Sequence, residues 1–389
     1  MKKPTKKLLK ISNKLDGWLR EEAWPLWWKQ GRKKNGLFHE ALDFTGNPVP
    51  GDVARVRVQA RQIYSMALAW KMGFRKKSLP KKLESSINRF YDSCIGPEGL
   101  PGMLVDIENG ELTDPQPNLY VTAFTLMALA QSRKVLGGRT IDSKIGQMLD
   151  NIDGHLALPD GNGYRETLPS NTIRHQKPHM HLFESLQVLF KATSRADVHD
   201  RAESLLTYMQ DTFDDSRSGE VQEKVNPNLE MTASQYEPGH SMEWIWLLGL
   251  RSRLFKVPLD PFAVRLYVHY RSAGIPPGQA PMCMTVDHKA VDPTRRLWSQ
   301  TESLKAHLTI AELGPAELAL PALHDAIECA ENIHDEWLDT ECRGVWHDHF
   351  DANGELIAKD VPGSMCYHLY LMVMELSRSV KKLKKKRFA

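Results

Sequence analysis

Residues 99–137, GLPGMLVDIENGELTDPQPNLYVTAFTLMALAQSRKVLG, hold the stretch whose reading decides the fold. A short run of strand character reaches an Asn-Gly turn at Asn109–Gly110 and is followed by a second short run, which is the grammar of a β-hairpin. The segment from Leu119 is then apolar around most of its circumference, as a helix buried on several sides must be. The same unit returns along the chain. Its hairpins are GLFHEALDFTGNPV from Gly36, GNGYRETLPSN from Gly161, SGEVQEKVNP from Ser218, GQAPMCMTVDHKAVD from Gly278 and GVWHDHFDANGEL from Gly344. With the hairpin at Gly99 there are six, starting roughly sixty residues apart, a period at which internal repeats set the architecture.

Each hairpin leads into an apolar segment of the same kind, such as HMHLFESLQVLFKAT, GHSMEWIWLLGLRSRLF and WSQTESLKAHLTIAELG. Between these lie amphipathic segments with a charged face, such as SLPKKLESSINRFYDSC and ADVHDRAESLLTYMQDTF, which belong on the outside. An open solenoid of such repeats needs polar capping units, yet the sixth inner segment, SMCYHLYLMVMELSRSV, is as apolar as the others. A closed toroid needs no caps. The sequence therefore predicts an all-α fold, an (α/α)6 barrel with short hairpins at one end, as one domain over 1–389 with short basic tails at both termini.

Composition narrows the function. Lys and Arg number 51 against 48 Asp and Glu, a net charge of +3 that gives no basic footprint for nucleic acid. No apolar run approaches the length of a membrane span. Five cysteines, with no CxxC pair, argue for reduced thiols in a cytoplasmic protein and against a disulfide framework or a cysteine-based zinc site. The expected protein therefore binds neither nucleic acid nor membrane, and with no GxxxxGK(S/T) motif no nucleotide cofactor is expected. Monomer and homodimer both remain open.

Polar residues at the hairpin-proximal ends of the inner helices are the anomaly. They are Arg57 and Arg61, Asn118 and Tyr120, His179, His181 and Glu184, His240 and Glu243, Trp298, Gln300, Glu302 and Lys305, and His368. Arg61, Tyr120, His179, His240, Glu302 and His368 again follow one another at roughly sixty residues, which puts them at one end of a closed ring. Buried polar groups persist where they find partners, and a ligand is one such partner. An indole plate beside carboxylates suits the C–H faces and hydroxyl edges of a sugar. His240 and His368, expected from opposite sides of the ring, titrate near neutrality and can flank a reacting carbon. The three-residue spacing of His240 and Glu243 suggests that this carboxylate orients the imidazole.

The stretches RVRVQARQIYSMALA, QKPHMHLFESLQVLFKAT, EPGHSMEWIWLL, RRLWSQTESLKAH and VPGSMCYHLY resemble the N-acylglucosamine 2-epimerase superfamily, nearest its mannose isomerase branch. The resemblance implies metal-independent proton transfer at C2 of an open-chain sugar through a cis-enediolate. It implies His240 and His368 as the catalytic pair, with His368 as the shuttle, and Arg61, His179, Glu243, Trp298 and Glu302 as substrate-binding residues beside Arg57, Tyr120 and Asn118. D-Mannose and D-fructose are the implied pair, with D-lyxose and D-xylulose as shorter counterparts. A sugar 2-epimerase using the same two histidines is the alternative. Lys177 and Val121 stand where many members have Asn and Asp. A hydrolase built on Glu243 and Glu302, a non-catalytic sugar binder, and a metal isomerase using the pairs His179/His181 and His347/His349 are the rival readings.

Overall fold

The computed structural model describes residues 3–158, 163–170, 173–215, 219–226, 228, 230 and 235–386, so parts of the hairpins that begin at Gly161 and Ser218 lie outside it, as do the chain ends. The first outer helix is split: α1 (Lys3–Trp18) runs through a π-helical turn, Leu19–Ala23, into α2 (Trp24–Gln30). The basic N-terminal stretch is therefore part of a helix rather than a tail. The first inner helix is α3 (Val56–Lys71), after which outer and inner alternate. They are α4 (Leu79–Cys94), α5 (Leu119–Leu136), α6 (Gly138–Asn151), α7 (Gln176–Thr193) and α8 (Ala196–Phe213). Then come α9 (Pro238–Phe255), α10 (Pro261–Ser272), α11 (Leu297–Leu313), α12 (Ala316–Asn332) and α13 (Cys366–Leu383). The C-terminal basic run likewise begins inside α13.

The inner helices pack in sequence order, α3 on α5, α5 on α7, α7 on α9, α9 on α11 and α11 on α13, and α13 returns to α3. The ring is closed, as the apolar sixth inner helix demands. Each outer helix from α4 to α12 lies on the inner helix before it, and α1 lies across α12 and α13. Trp24, Trp27 and Trp28 serve this packing: Trp27 stacks on Trp346 at 4.9 Å, and Trp24 and Trp28 meet Phe74.

At one rim, the extended segment before each inner helix pairs with the hairpin of the next repeat. Val53–Arg55 pairs antiparallel with Leu104–Asp106, Arg174–His175 with Lys224–Val225, Gln235–Tyr236 with Cys283–Thr285, and Arg295–Arg296 with His349–Phe350. Asn118 bridges to Thr167, and Val361–Pro362 closes the circuit on Ala41–Leu42. The backbone N–H at the head of the inner segment then donates across the same seam. Val56 donates to Met103, Leu119 to Glu166, Gln176 to Glu223, Leu297 to Asp348 and Gly363 to Glu40, at 2.9–3.1 Å. The remaining helix, α9, begins at Pro238, which has no N–H to give.

These bonds define a common register. Three residues on from the head, a side chain grips a hairpin. Gln59 accepts from the Phe38 N–H at 2.7 Å and donates to its carbonyl at 2.9 Å, and Gln300 does the same to Ala280 at 2.8 and 2.9 Å. Ser241 donates to Glu220 at the equivalent place. Among the described residues no helix is long and apolar enough to cross a membrane.

Because both glutamine contacts are buried, Gln300→Leu strands a backbone donor and an acceptor. The expected loss is about 2–5 kcal/mol in urea unfolding, at roughly 1–3 kcal/mol per unsatisfied group. A change within ~0.5 kcal/mol of the parent would mean that the clasp does not hold the hairpin.

Candidate active site

The register explains which side chains meet inside the barrel. Counting from the head of each inner segment, the next residues are Arg57, Tyr120, Lys177, Gly239, Trp298 and Ser364. One turn deeper come Arg61, Phe124, His181, Glu243, Glu302 and His368, on the same helix faces. Most of these line a cavity of about 150 Å³ at the hairpin rim. Its wall also includes His240, Arg55, Arg296, Asp348, Pro362 and Met365.

His368 and Glu302 form the deeper couple. Nδ1 of His368 lies 2.8 Å from Glu302 Oε1, and Glu302 Oε2 lies 2.6 Å from the Lys305 ammonium. Glu302 and Lys305 are fully buried, and Lys305 sits 3.6 Å from the centre of the Trp246 ring. Burial raises the pKa of Glu302, but Lys305 and His368 more than reverse this, and it remains a carboxylate. Burial holds the pKa of His368 below its ordinary value, helped by Arg61 and Lys305 and opposed by Glu302. The imidazole is therefore neutral near pH 7. With Nδ1–H directed to the carboxylate, Nε2 is left as the basic nitrogen.

His240 has the opposite character. Its Nδ1 lies 3.0 Å from both oxygens of Glu223 and 3.7 Å from Glu237. Burial lowers its pKa, but these two carboxylates outweigh burial and raise it to about 9. It is an imidazolium at neutral pH. The two histidines do not face each other across the ring. They come from α9 and α13, the two neighbours of α11, and Trp298 of α11 stands between them, its ring centre 5.1 Å from His240 and 6.2 Å from His368. Gly239 makes room for this indole, since a Cβ there would come within 2.6 Å of it.

Arg61, 6 % exposed, donates to the Tyr120 hydroxyl at 2.8 Å and towards the Ser364 carbonyl at 3.4 Å, and its Nε has no partner. Burial pushes the Tyr120 pKa up, and Arg61, Lys177 and Arg57 together bring it below the usual value. Beneath the cavity His181 lies 3.1 Å from Glu184 and 3.9 Å from Glu243, and Tyr367 donates to Glu184. Burial raises Glu184 to about 7 and Glu243 well above its ordinary range.

Several expectations need correction. His179 lies off the cavity at the hairpin-gripping position of Gln59 and Gln300: its Nε2 accepts from the Tyr164 N–H at 3.2 Å, and Nδ1 is 3.0 Å from the His175 carbonyl. His181, two residues on, takes the place at the cavity. Asn118 is spent on capping α5, where its side chain accepts from the N–H groups of Tyr120 and Val121. Glu243 does not orient His240, because that imidazole turns to Glu223 in the hairpin; Glu243 faces His181 instead. Glu302 is completely covered and acts behind His368. Val121 is buried in the core, whereas Lys177 lines the cavity.

Glu223 went unread in the sequence, although a signal existed. Glu40, Glu166 and Asp348 occupy the same place in their hairpins, each receiving the N–H of a preceding inner segment. Two groups, His181 with Glu184 and Glu243, and His240 with Glu223 and Glu237, bring donor atoms within 4.8 Å of one another. Neither is one of the expected HxH pairs. Raised carboxyls in the first group, and the positive charge of Arg61 and Lys177 around it, make it a poor ligand set for a cation.

The family model described as N-acylglucosamine 2-epimerase (GlcNAc 2-epimerase) matches residues 36–372. The chain belongs to the N-acylglucosamine 2-epimerase family. A protein of Rhizobium meliloti (strain 1021) named mannose-6-phosphate isomerase is 30% identical over 390 residues, covering 96% of this chain and 98% of that one. The cellobiose 2-epimerase of Spirochaeta thermophila DSM 6192 superposes with a TM-score of 0.86 at 19% identity, covering 97% of this chain and 98% of the other. A D-mannose isomerase gives 0.84 at 19% identity, with 94% and 97% covered. These family members share the (α/α)6 barrel, and the chain is a carbohydrate epimerase or isomerase of this family.

The geometry predicts two outcomes. His179→Gln, which restores the side chain found at the equivalent clasp, is expected to keep steady-state turnover within a few-fold, whereas His181→Gln is expected to lower it; the reverse order would return His179 to the site. In the parent enzyme kcat/KM should fall as pH rises through about 9, where His240 loses its proton. Glu223→Gln removes the main charge that raises this pKa and should move the alkaline limb down by at least about one unit. An unmoved limb would assign it to another group.

Proposed function

We propose that the protein is a metal-independent aldose–ketose isomerase that interconverts D-mannose and D-fructose, with D-lyxose and D-xylulose as shorter substrates. The observation that carries this reading is the opposite charge state of two histidines on either side of one indole: His368 neutral and backed by Glu302, His240 cationic and backed by Glu223. A 1,2-proton transfer needs this division, a base for the C–H bond and an acid for the oxygen. The name of the 30%-identical relative and that of the D-mannose isomerase support mannose as the sugar frame.

In the open-chain aldose, Nε2 of His368 removes the proton from C2. The C2–H electron pair becomes the C1=C2 bond, and the carbonyl pair passes to O1, which is protonated by His240. Arg61 stabilises the negative charge developing on oxygen, often the largest contribution in such reactions. His368 then returns its proton to C1 while O2 gives its proton back to His240, leaving the ketose. Trp298 offers an apolar face to the sugar C–H bonds. Positioned acid–base transfer of this kind contributes about 10²–10⁴-fold. All five cysteines are free, which fits a reducing compartment, and we place the enzyme in the cytoplasm.

Proton NMR of D-mannose in D2O with the enzyme and EDTA tests the proposal. Fructose carrying deuterium is the expected product, with turnover reduced at least about 10²-fold in a folded His368→Ala protein. Glucose as the first product would instead identify a 2-epimerase, and full activity of His368→Ala would overturn the assigned base.

A further inference from the structure

Five Arg and Lys side chains line the cavity beside the His240 imidazolium, and they differ in how they are partnered. Arg55 is paired with Glu40, and Arg296 with Asp348. Arg57, Arg61 and Lys177 have no carboxylate within ion-pair distance among the described residues. Arg61 is engaged by the Tyr120 hydroxyl and the Ser364 carbonyl, beside the reacting end of the cavity. Arg57 and Lys177 stand one helical turn nearer the rim, on α3 and α7, the two neighbours of α5, and flank Tyr120 from both sides. The Arg57 guanidinium lies 5.9 Å from the centre of the Tyr120 ring, and the Lys177 ammonium 5.4 Å. The Nε of Arg57 is buried and unpartnered.

The acids in the cavity wall do not balance this charge. Asp348 is committed to Arg296, and Glu243 faces His181, with burial pushing its pKa well above the ordinary carboxylate range. The heads of all six inner segments also meet at this rim and add their positive dipole ends. A neutral sugar closing over such a wall would desolvate unpaired cations without replacing their water, which is costly. An oxyanion with several acceptor atoms replaces it directly.

We propose that Arg57 and Lys177 form a subsite for a phosphomonoester on the end of the sugar remote from C2, so that the preferred substrate is a sugar phosphate. The proposal rests on the isomerase reading and extends it to substrate class. One helical turn, about 5.4 Å, separates the two layers, comparable to the reach from C2 to C6 of an extended hexose.

The test compares kcat/KM for D-mannose 6-phosphate with that for D-mannose in the parent, Arg57→Gln and Lys177→Met enzymes, each checked for folding by circular dichroism. Binding of inorganic phosphate and sulfate to the same proteins is measured by calorimetry. The phosphorylated sugar should be favoured by at least about 100-fold, and each substitution should shrink that ratio by about tenfold or more, the weight of one charge-assisted contact. Inorganic phosphate should bind the parent and be lost in Lys177→Met. Sulfate binding as well as phosphate would still support an oxyanion site, and the sugar ratio then decides that phosphate is its occupant. Turnover of mannose with no preference for the phosphate, and a ratio unmoved by the substitutions, would overturn the subsite and leave the isomerase reading standing. Phosphate binding that depends on Lys177, with neither sugar converted, would keep the subsite and overturn the isomerase reading.

Discussion

The antiparallel pairing of Val361–Pro362 with Ala41–Leu42 joins the last repeat to the first, and the geometry of the site follows from that join. Once the circuit is closed, five inner segments are held by a head N–H donated to the next hairpin, α9 is held by the pairing of Gln235–Tyr236 with Cys283–Thr285, and all six heads lie at one rim. Side chains one and five residues beyond each head then fall on the inward faces of their helices. A cavity wall assembled from Arg57, Tyr120, Lys177 and Trp298 above, and Arg61, His181, Glu243 and His368 below, is the direct consequence.

Within this wall, charge does more than shape. Glu302 is buried against a buried lysine, and the pair costs desolvation that a well-packed apolar pair would not. What it secures is a fixed carboxylate behind His368, which sets the tautomer of the imidazole without adding enough negative charge to protonate it. Glu223 and Glu237 stand behind His240 without a comparable counter-cation, and there the carboxylates win over burial. Two residues of the same type thus acquire opposite roles from the net charge of their surroundings: Lys305 and Arg61 offset the carboxylate beside one, and two carboxylates prevail beside the other.

The sequence made the ring legible because its evidence was redundant. Six hairpins, six apolar helices and a sixth inner helix with no polar cap all pointed to closure. His240, His368 and Arg61 were also readable, since each is a polar residue on an otherwise apolar helix. A period of roughly sixty residues could not resolve a two-residue difference in phase, so His179 was taken in place of His181. The difference lies in the hairpin clasp, whose other members are Gln59, unremarkable in the sequence, and Gln300, which stands among the polar residues of the fifth inner helix with nothing local to show what it grips. Glu223 was missed for a related reason: it sits in a short hairpin strand, where an acid resembles a solvated surface residue until its neighbour on the barrel is known.

The most direct test of this account is the charge state of the two imidazoles, measured by ¹⁵N NMR on protein labelled at histidine, with His240→Gln and His368→Gln used for assignment. At pH 7 the account predicts His240 as an imidazolium that titrates near 9, and His368 as a neutral ring protonated on Nδ1. Two neutral rings, or a cationic His368 beside a neutral His240, would contradict it.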